Sequence, residues 1–187
     1  EESPPGEGYP YHIIFRPLVE NPNLTPEEWA ALIVQRTVEA LGSSFDVTQS
    51  ALRTAGLPNL AAALDQLAEV LLAKGSQDRT AYQRARNNAQ RYGFGNASYA
   101  EYKDMVDYCE KLAEETQDPD IAGKVNLVKQ ALQSALIAEA HAGSSVARSH
   151  GLSIWVPSPA NFLIRYKNLA FAKDTRWDEW ISTQGER

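Results

Sequence analysis

Hydrophobic residues recur at helical spacing through most of the chain, and the clearest start signal lies at residues 25–28 (TPEE). This stretch is a capping box, because a Thr hydroxyl and a Glu carboxylate three residues apart satisfy the first backbone amides of a helix that has Pro at its first position. Gly42 predicts the end of this helix. The apolar residues at helical spacing between these limits are Trp29, Leu32, Ile33 and Leu41.

Two further helices are predicted between residues 58 and 91. The first begins at Pro58 and ends before Gly75, and leucines line its inward face. The second covers residues 77–91, which are mostly polar with a thin stripe of Tyr and Ala residues. Its arginines leave two interpretations, a solvated helix face or a weak basic face that binds a partner, and the solvated face is favoured. These arginines are Arg79, Arg84, Arg86 and Arg91.

Two more helices have strong start signals. Ser98 and Glu101 form a second capping box, which predicts a helix that carries Cys109 on its apolar stripe. Asp118 followed by Pro119 starts the other helix, with a carboxylate as its N-cap. The inward residues of this helix are predicted to be Ile121, Val125, Val128, Leu132 and Leu136.

Two short segments have the pattern of β-strands. Residues 45–52 alternate weakly between polar and apolar positions, whereas residues 152–156 are an apolar run bounded by Gly and Pro, which predicts a buried strand. A last short helix is predicted to be capped by Thr175 and Asp178. Its inward residues are Trp177, Trp180 and Ile181.

Helices combined with two or three short strands predict an α/β fold, of which this chain is a mostly helical part with other strands missing. The 187 residues form a single, partial domain in this interpretation. Residues 1–24 are a loop and an apolar entry segment, residues 25–142 a helical region, and residues 143–187 a strand and a terminal helix.

Composition narrows the classes of function. A net charge of -6 and a pI of about 5.1 argue against nucleic acid or an anionic membrane as the main partner, because phosphate binding needs clustered Lys and Arg. Uncharged apolar stretches are far shorter than the roughly 20 residues of a membrane span. One cysteine allows no internal disulfide and no zinc cluster. Residues 1–8 have neither a signal-peptide pattern nor an initiator Met, so a processed or truncated chain is expected.

The residues alone predict no complete catalytic or metal site. Cys109 falls on the apolar stripe of its helix beside Asp107 and Glu110, so a packed, inert thiol is favoured over a nucleophile. His150 precedes the predicted strand, whereas catalytic groups in open α/β sheets gather where strands end, so a turn or supporting role is favoured. Ser153 lies inside the strand pattern and not on a nucleophile elbow.

Four stretches of the sequence form an ordered set of motifs. They are residues 1–11 (EESPPGEGYPY), 105–108 (MVDY), 151–157 (GLSIWVP) and 171–178 (FAKDTRWD), with Tyr166 in the linker between the last two. This set resembles the clostripain family of cysteine peptidases, the C11 family of the caspase–gingipain clan. The first stretch is similar to the loop after the helix of the family's catalytic cysteine.

The resemblance implies a caspase-like three-layer α/β sandwich with a mainly parallel sheet. It places the catalytic His and Cys upstream of residue 1, so none of the catalytic residues is expected in this chain. The partners it implies are the upstream catalytic segment of the same protein and polypeptide substrates, with no nucleic acid and no membrane. Family members often cut after Arg or Lys, which makes Glu1 and Glu2 candidate substrate-binding residues; the alternative is that they are solvated terminal carboxylates.

Two other implications concern the parent enzyme. No cofactor is expected in this chain, but some family members need calcium, so calcium is a candidate cofactor of the parent. The resemblance also implies secretion or a location in the cell envelope.

Three functional hypotheses follow. The first is the C-terminal portion of a clostripain-like cysteine endopeptidase that cleaves after basic residues, with this chain inactive by itself. The second is a non-catalytic scaffold or protein-interaction domain related to the same family. The third is a helical regulatory domain that binds a partner through the arginines of residues 79–91.

Overall fold

A computed structural model describes residues 8–93 and 99–184 of the chain. The first part holds helices α1 (Tyr11–Ile14), α2 (Arg16–Glu20) and α3 (Pro26–Leu41). The predicted capping box begins α3, since the Thr25 hydroxyl accepts from the Glu28 amide at 3.2 Å and the Glu28 carboxylate accepts from the Thr25 amide at 2.8 Å. The helix is capped at its end by Gly42, as expected.

A two-stranded antiparallel ribbon lies against α3. It pairs β1 (Val47–Leu52) with β3 (Leu136–Ala142), in a register that runs from Val47 opposite Ala142 to Leu52 opposite Leu136. Helix α3 packs on both strands, and α1 and α2 pack on α3. We call residues 8–52 together with β3 the N-terminal layer.

The remaining long helices form a second region, which we call the helical core. It contains α4 (Leu57–Lys74), α5 (Arg79–Asn88), α6 (Met105–Thr116), α7 (Pro119–Ala135) and α9 (Trp177–Thr183). Helix α4 packs on α7 and α9, and α6 packs on α5 and α7. The largest fully buried side chains of the helical core are Trp177, Trp180, Tyr82 and Tyr108. The inward orientation predicted for Trp177, Trp180 and Ile181 is confirmed.

A small sheet closes one side of the helical core. It pairs β2 (Tyr102–Asp104) with β4 (Ser153–Trp155) in antiparallel fashion, and Arg91 extends it by a bridge to Lys103. Strand β4 lies within the apolar run at residues 152–156, so the predicted strand is confirmed.

The short helix α8 (Ala170–Asp174) precedes α9.

The described residues thus hold four strands in two antiparallel pairs, where two or three strands were expected. They are mostly helical, which agrees with a mostly helical part of an α/β fold. The parallel strands that a caspase-like sheet implies are not among these two pairs.

Three local predictions were wrong. Helix α6 begins at Met105 and not after Ser98, because residues 102–104 pair with β4 and Asp104 takes the N-cap position; Ser98 itself lies outside the described residues. Leu136 is not an inward residue of α7 but the first residue of β3. The helix ends at Ala135, whose carbonyl accepts a hydrogen bond from the Arg53 amide at 2.7 Å, and the pairing with β1 begins there. Helix α9 follows Arg176, which makes no side-chain cap, so Thr175 and Asp178 do not form the predicted box.

Among the described residues, no helix is both long and apolar enough to cross a membrane.

Candidate functional site

The predicted candidates do not assemble into a catalytic centre. Glu1 and Glu2 lie outside the described residues. Cys109 is fully buried in α6, and this burial raises the pKa of its thiol, with Asp104 and Glu110 adding to the effect. A thiolate is therefore strongly disfavoured, in agreement with the packed, inert thiol expected from the sequence.

A buried polar cluster forms instead around Asp104, which has no solvent exposure. Its carboxylate accepts four hydrogen bonds: from the Asp107 amide at 2.9 Å, the Tyr92 hydroxyl at 3.1 Å, the His150 amide at 2.7 Å and, at 2.9 Å, the His150 Nδ1. The Tyr92 hydroxyl also contacts the Ser149 hydroxyl at 2.9 Å. We call these five residues the Asp104 cluster. Such a network stabilises a fold when every member is satisfied.

A second carboxylate extends the cluster toward α5. Asp107 accepts from the Gln90 amide and forms an ion pair with Arg148, whose Nε lies 3.4 Å from Asp107 Oδ1. The Gln90 side chain donates to the Ser145 carbonyl at 2.6 Å and accepts from the Arg148 amide at 3.2 Å. These bonds connect the end of α5, the start of α6 and residues 145–150.

The pair of His150 and Asp104 has the form of the base and orienting acid in hydrolases, but among the described residues the His150 ring makes no hydrogen bond to a hydroxyl or a thiol. The hydrogen bond to Asp104 raises the pKa of His150, while partial burial opposes the shift. Within the parts of the chain that the structure describes, the His150 ring hydrogen-bonds only to Asp104. The geometry therefore supports the turn role predicted for His150, because the ring and amide anchor residues 149–151 to the cap of α6.

Gly151, the next residue, contacts the ribbon. Its φ is +96°, and a Cβ there would lie 3.0 Å from Leu136 Cδ1 and 3.2 Å from Glu139 Cγ. Its carbonyl accepts a hydrogen bond from the Ser50 hydroxyl. Gly151 therefore needs both a left-handed backbone and the absence of a side chain.

Local sequence patterns predict little of the Asp104 cluster. Asp104 stands three residues before Asp107, which is the spacing of an N-cap carboxylate and an acidic first turn. That signal was available, but the Ser98 and Glu101 pair matched a helix start more closely. The contacts with Tyr92 and His150 cross 12 and 46 residues, and local patterns do not reveal such contacts.

An open groove lies beside the cluster, with a volume of about 460 Å³. Polar side chains line most of it, among them Asn87, Gln90, Ser144 and Arg148. Gln90 and Arg148 are engaged in the bonds described above. Among the described residues, its lining holds neither a cysteine nor a histidine.

Two arginines of residues 79–91 make internal contacts. Arg84 donates to Glu115 at 2.6 Å, and Arg86 donates to the side chain of Gln184. The pair with Glu115 offsets the charge of Arg84, and Arg86 is engaged within the fold, so these two contacts favour a structural role of this segment over partner binding.

The N-terminal layer carries a continuous stack of aromatic side chains. Ring centroids lie 6.3 Å apart for Tyr9 and Tyr11, 6.0 Å for Tyr11 and Phe15, and 5.7 Å for Phe15 and Trp29. Tyr11 is 60% exposed and Phe15 is 44% exposed. We call these four residues the aromatic stack. Exposed aromatic residues in contact with one another are typical of protein–protein interfaces.

One buried polar atom of the stack has no partner. The indole nitrogen of Trp29 is buried and donates no hydrogen bond within the part of the chain that the structure describes. A buried donor without an acceptor is costly, by about 1–3 kcal/mol. An acceptor from a neighbouring molecule would remove this cost.

Calcium was a candidate cofactor of the parent enzyme. Within residues 8–93 and 99–184, no group of three or more His, Cys, Asp or Glu side chains could hold a metal ion. Calcium binding by the parent enzyme therefore stays a prediction.

Comparisons with known proteins agree with the fold. The model of the clostripain family, peptidase C11, matches residues 1–183. The X-ray structure of an inactive zymogen C11 protease from Parabacteroides distasonis superposes with a TM-score of 0.67 at 22% identity, and the match covers 93% of this chain and 49% of that chain. A search of curated proteins found no match.

The fold is thus one that also occurs in a C11 protease zymogen, and the family match covers nearly the whole chain. The chain belongs to the clostripain family, as the motifs predicted. It spans about half the length of the zymogen structure to which it is similar.

Proposed function

We propose that this chain is the C-terminal portion of a clostripain-like cysteine endopeptidase, in which an upstream segment carries the catalytic His and Cys. The observation that carries the proposal is the incomplete N-terminal layer. Every residue of β3 is only half-buried, and its ribbon partner β1 has four half-buried residues. A ribbon of two strands is marginally stable unless further strands or helices cover it.

The upstream segment would complete this layer. Its strands would extend the ribbon toward the three-layer sandwich of the family, and its surface would cover the aromatic stack. Burying the exposed parts of Tyr11 and Phe15 would favour association, because aromatic residues dominate the energetics of interfaces. An acceptor from the upstream segment would satisfy the indole nitrogen of Trp29.

Catalysis would then follow the general scheme of cysteine peptidases. The upstream His would activate the upstream Cys, the thiolate would attack the peptide carbonyl, and backbone amides would stabilise the oxyanion. The helical core would support the sheet from one side. The chain described here would contribute no reacting group, so it would be inactive alone.

Glu1 and Glu2 would contribute to specificity. This part of the proposal is supported by the similarity of residues 1–11 to the family's loop after the helix of the catalytic cysteine, because carboxylates in that loop would pair with a substrate Arg or Lys. A double Glu→Gln variant of the complete protease should raise KM for an arginine reporter peptide and leave a neutral reporter unchanged. An equal change for both reporters would remove these residues from the substrate pocket.

The decisive experiment is reconstitution of the two halves. The 187-residue chain and the upstream segment are expressed together and assayed with an arginine reporter peptide, and the chain alone is assayed in parallel. We expect activity only in the combination, and we expect Cys109→Ala to retain it because this thiol is packed. Hydrolysis by the chain alone, abolished by Cys109→Ala, would contradict the proposal.

The second candidate is a non-catalytic scaffold of the same family. It is favoured by the observation that, among the described residues, the His150 ring hydrogen-bonds to Asp104 and to no hydroxyl or thiol. The two candidates differ in the upstream segment. If its sheet lacks the His and Cys, or if the reconstituted protein binds peptides without cleaving them, the scaffold function is the correct one.

A further inference from the structure

Two neighbouring carboxyl groups at the start of α9 each have a buried oxygen without a donor. Asp178 Oδ1 and Glu179 Oε2 are buried, and neither accepts a hydrogen bond within the part of the chain that the structure describes. The two side chains lie within hydrogen-bonding reach of each other, and we call them the carboxyl pair. Buried polar atoms nearly always have partners, so these two oxygens need a donor.

The cation beside the carboxyl pair is Lys167. Its Nζ lies 3.9 Å from Asp178 Oδ2 and its side chain is 47% exposed, so it offsets at most one negative charge. Arg176, immediately before α9, is already held by two carboxylates of α4. Its guanidinium nitrogens lie 2.6 Å from Asp65 and 3.0 Å from Glu69. Lys167 therefore faces two carboxyl groups without help from Arg176.

The other groups around α9 do not balance the carboxyl pair. Arg86 of α5 donates to the side chain of Gln184 at the end of α9. The turn at residues 159–161, which packs on α9, has no charged side chain. Burial raises the pKa of the three nearby phenols, which therefore stay uncharged. These phenols are Tyr82, Tyr108 and Tyr166, of which Tyr166 faces Asp178.

A proton fits this site better than a larger ligand does. Both oxygens are buried, and a proton needs no room, whereas a metal ion or a basic side chain does. Calcium also takes six to eight oxygen ligands, and within residues 8–93 and 99–184 no third His, Cys, Asp or Glu joins the pair in a metal-binding group. Two carboxyl groups in contact cannot both ionise without a large cost.

We propose that Asp178 and Glu179 share one proton in the folded chain, and that the loss of this proton at higher pH loosens α9 from the helical core. The protonated carboxyl of one residue donates to the carboxylate of the other, which gives the buried oxygens their missing partner. When the proton leaves to water, two negative charges remain between Trp177 and Trp180. These two side chains anchor α9, since both are fully buried.

The sign of the pH dependence follows from the surroundings of Glu179. Burial raises its pKa above the ordinary value of 4.5, a hydrogen bond from its own amide opposes the shift, and the Asp178 carboxyl adds to it. The attraction of Lys167 acts in the opposite direction and is weaker. The stability that the shared proton contributes is therefore fully present below the unfolded pKa and is lost as the pH rises through the folded pKa.

Thermal unfolding of Glu179→Gln tests the proposal. The Gln NH2 can donate to Asp178 Oδ1 at every pH, whereas the shared proton does so only at low pH. The difference in Tm between Glu179→Gln and the unaltered chain should therefore grow by about 2–4 °C in favour of the variant from about pH 4.5 to pH 8. His150 is present in both proteins, so its own pH dependence cancels. A difference that stays constant or reverses with pH overturns the proposal.

Glu114→Gln is the matched control, because it makes the same substitution at an exposed carboxylate of α6. The Glu114 side chain is 60% exposed and pairs with Lys111 at 2.6 Å. Its difference in Tm from the unaltered chain should change by less than about 1 °C over the same pH range, because exposed ion pairs contribute little. Growth equal to that of Glu179→Gln would assign the effect to net charge and overturn the proposal.

Carbon NMR keeps the proposal testable if Glu179→Gln does not fold. In the unaltered chain, the carboxyl carbons of the pair should titrate in two separate steps, the second above the value of about 4.3 at which exposed glutamates titrate. The exchange protection of the Trp180 and Ile181 amides, corrected for the intrinsic rate, should fall across the second step because α9 loosens. Carboxyl carbons that titrate together with the exposed glutamates, or protection that does not change, would overturn the proposal.

Discussion

The helical core and the N-terminal layer differ in the solvent exposure of their aromatic residues. Trp177 and Trp180 are completely buried in the helical core, whereas Tyr11 and Phe15 are 60% and 44% exposed in the N-terminal layer. Both regions contain well-formed helices, so the difference lies in what covers them. This difference indicates that the helical core is packed as a complete hydrophobic interior, whereas the N-terminal layer has the composition of an interface.

The first and largest effect concerns the helical core. Leu71→Ala should lower the free energy of unfolding by about 2–5 kcal/mol, because it leaves a cavity at a fully buried position. Phe15→Ala, in the N-terminal layer, should lower it by less than about 1 kcal/mol, because much of that side chain already contacts water. Urea denaturation of both variants measures the contrast, and equal losses would show that the two regions are packed alike.

The second effect concerns association. Phe15→Ala should weaken binding of the upstream segment about 30-fold, which corresponds to about 2 kcal/mol, because it removes the centre of the aromatic stack. Ile164→Ala is the control, since Ile164 is 75% exposed and lies outside the stack. Titration calorimetry with the isolated upstream segment makes the measurement. Equal affinities for the two variants would remove the stack from the interface.

The third effect returns to the helical core at the Asp104 cluster. Asp104→Asn keeps the shape of the side chain, but one of the groups that donate to the carboxylate would then face an amide NH2. We therefore expect the free energy of unfolding to fall by about 1–3 kcal/mol. Hydrogen exchange should increase at the first turn of α6, because Asp104 is its N-cap. Unchanged protection of the Asp107 amide would mean that the carboxylate is not needed there.

The smallest effect is a pH dependence at His150. Its pKa is raised by the hydrogen bond to Asp104, with Glu110 and Asp107 adding to the field. The protonated ring is therefore favoured in the folded state. The resulting stability is fully present below the unfolded pKa of about 6.5 and is lost as the pH rises through the folded pKa.

Thermal unfolding between about pH 5.5 and pH 8.5 checks this sign. The unaltered chain should lose about 2 °C more in Tm over this range than His150→Gln, an estimate reduced because the ring is partly exposed to solvent. The opposite slope, or the same slope in both proteins, would contradict the assignment of this pair.

The sequence predicted most of the helices because their start signals are local. The capping box at residues 25–28 and the Asp118–Pro119 pair each place a side-chain acceptor next to the amides that it caps. The helix start predicted from the second capping box, Ser98 and Glu101, was wrong. Residues 102–104 pair with β4 instead, and these partners lie about 50 residues away in sequence. Long-range pairing of this kind has no signature in local periodicity.

The candidate site was less predictable for the same reason. The inert character of Cys109 followed from its helical stripe, which is a local property. The Asp104 cluster joins residues from three separate parts of the chain, so the neighbours that matter are distant in sequence.

Gly151 has a mechanical consequence for the whole domain. Its carbonyl accepts a hydrogen bond from the Ser50 hydroxyl, and side chains of Leu136, Glu139 and Ser50 line the space that a Cβ would fill. The residues anchored by Asp104 therefore meet the ribbon where a bare main-chain segment touches side chains of both strands. A single methyl group at this position would act as a wedge, and it would loosen the junction while leaving each region able to fold.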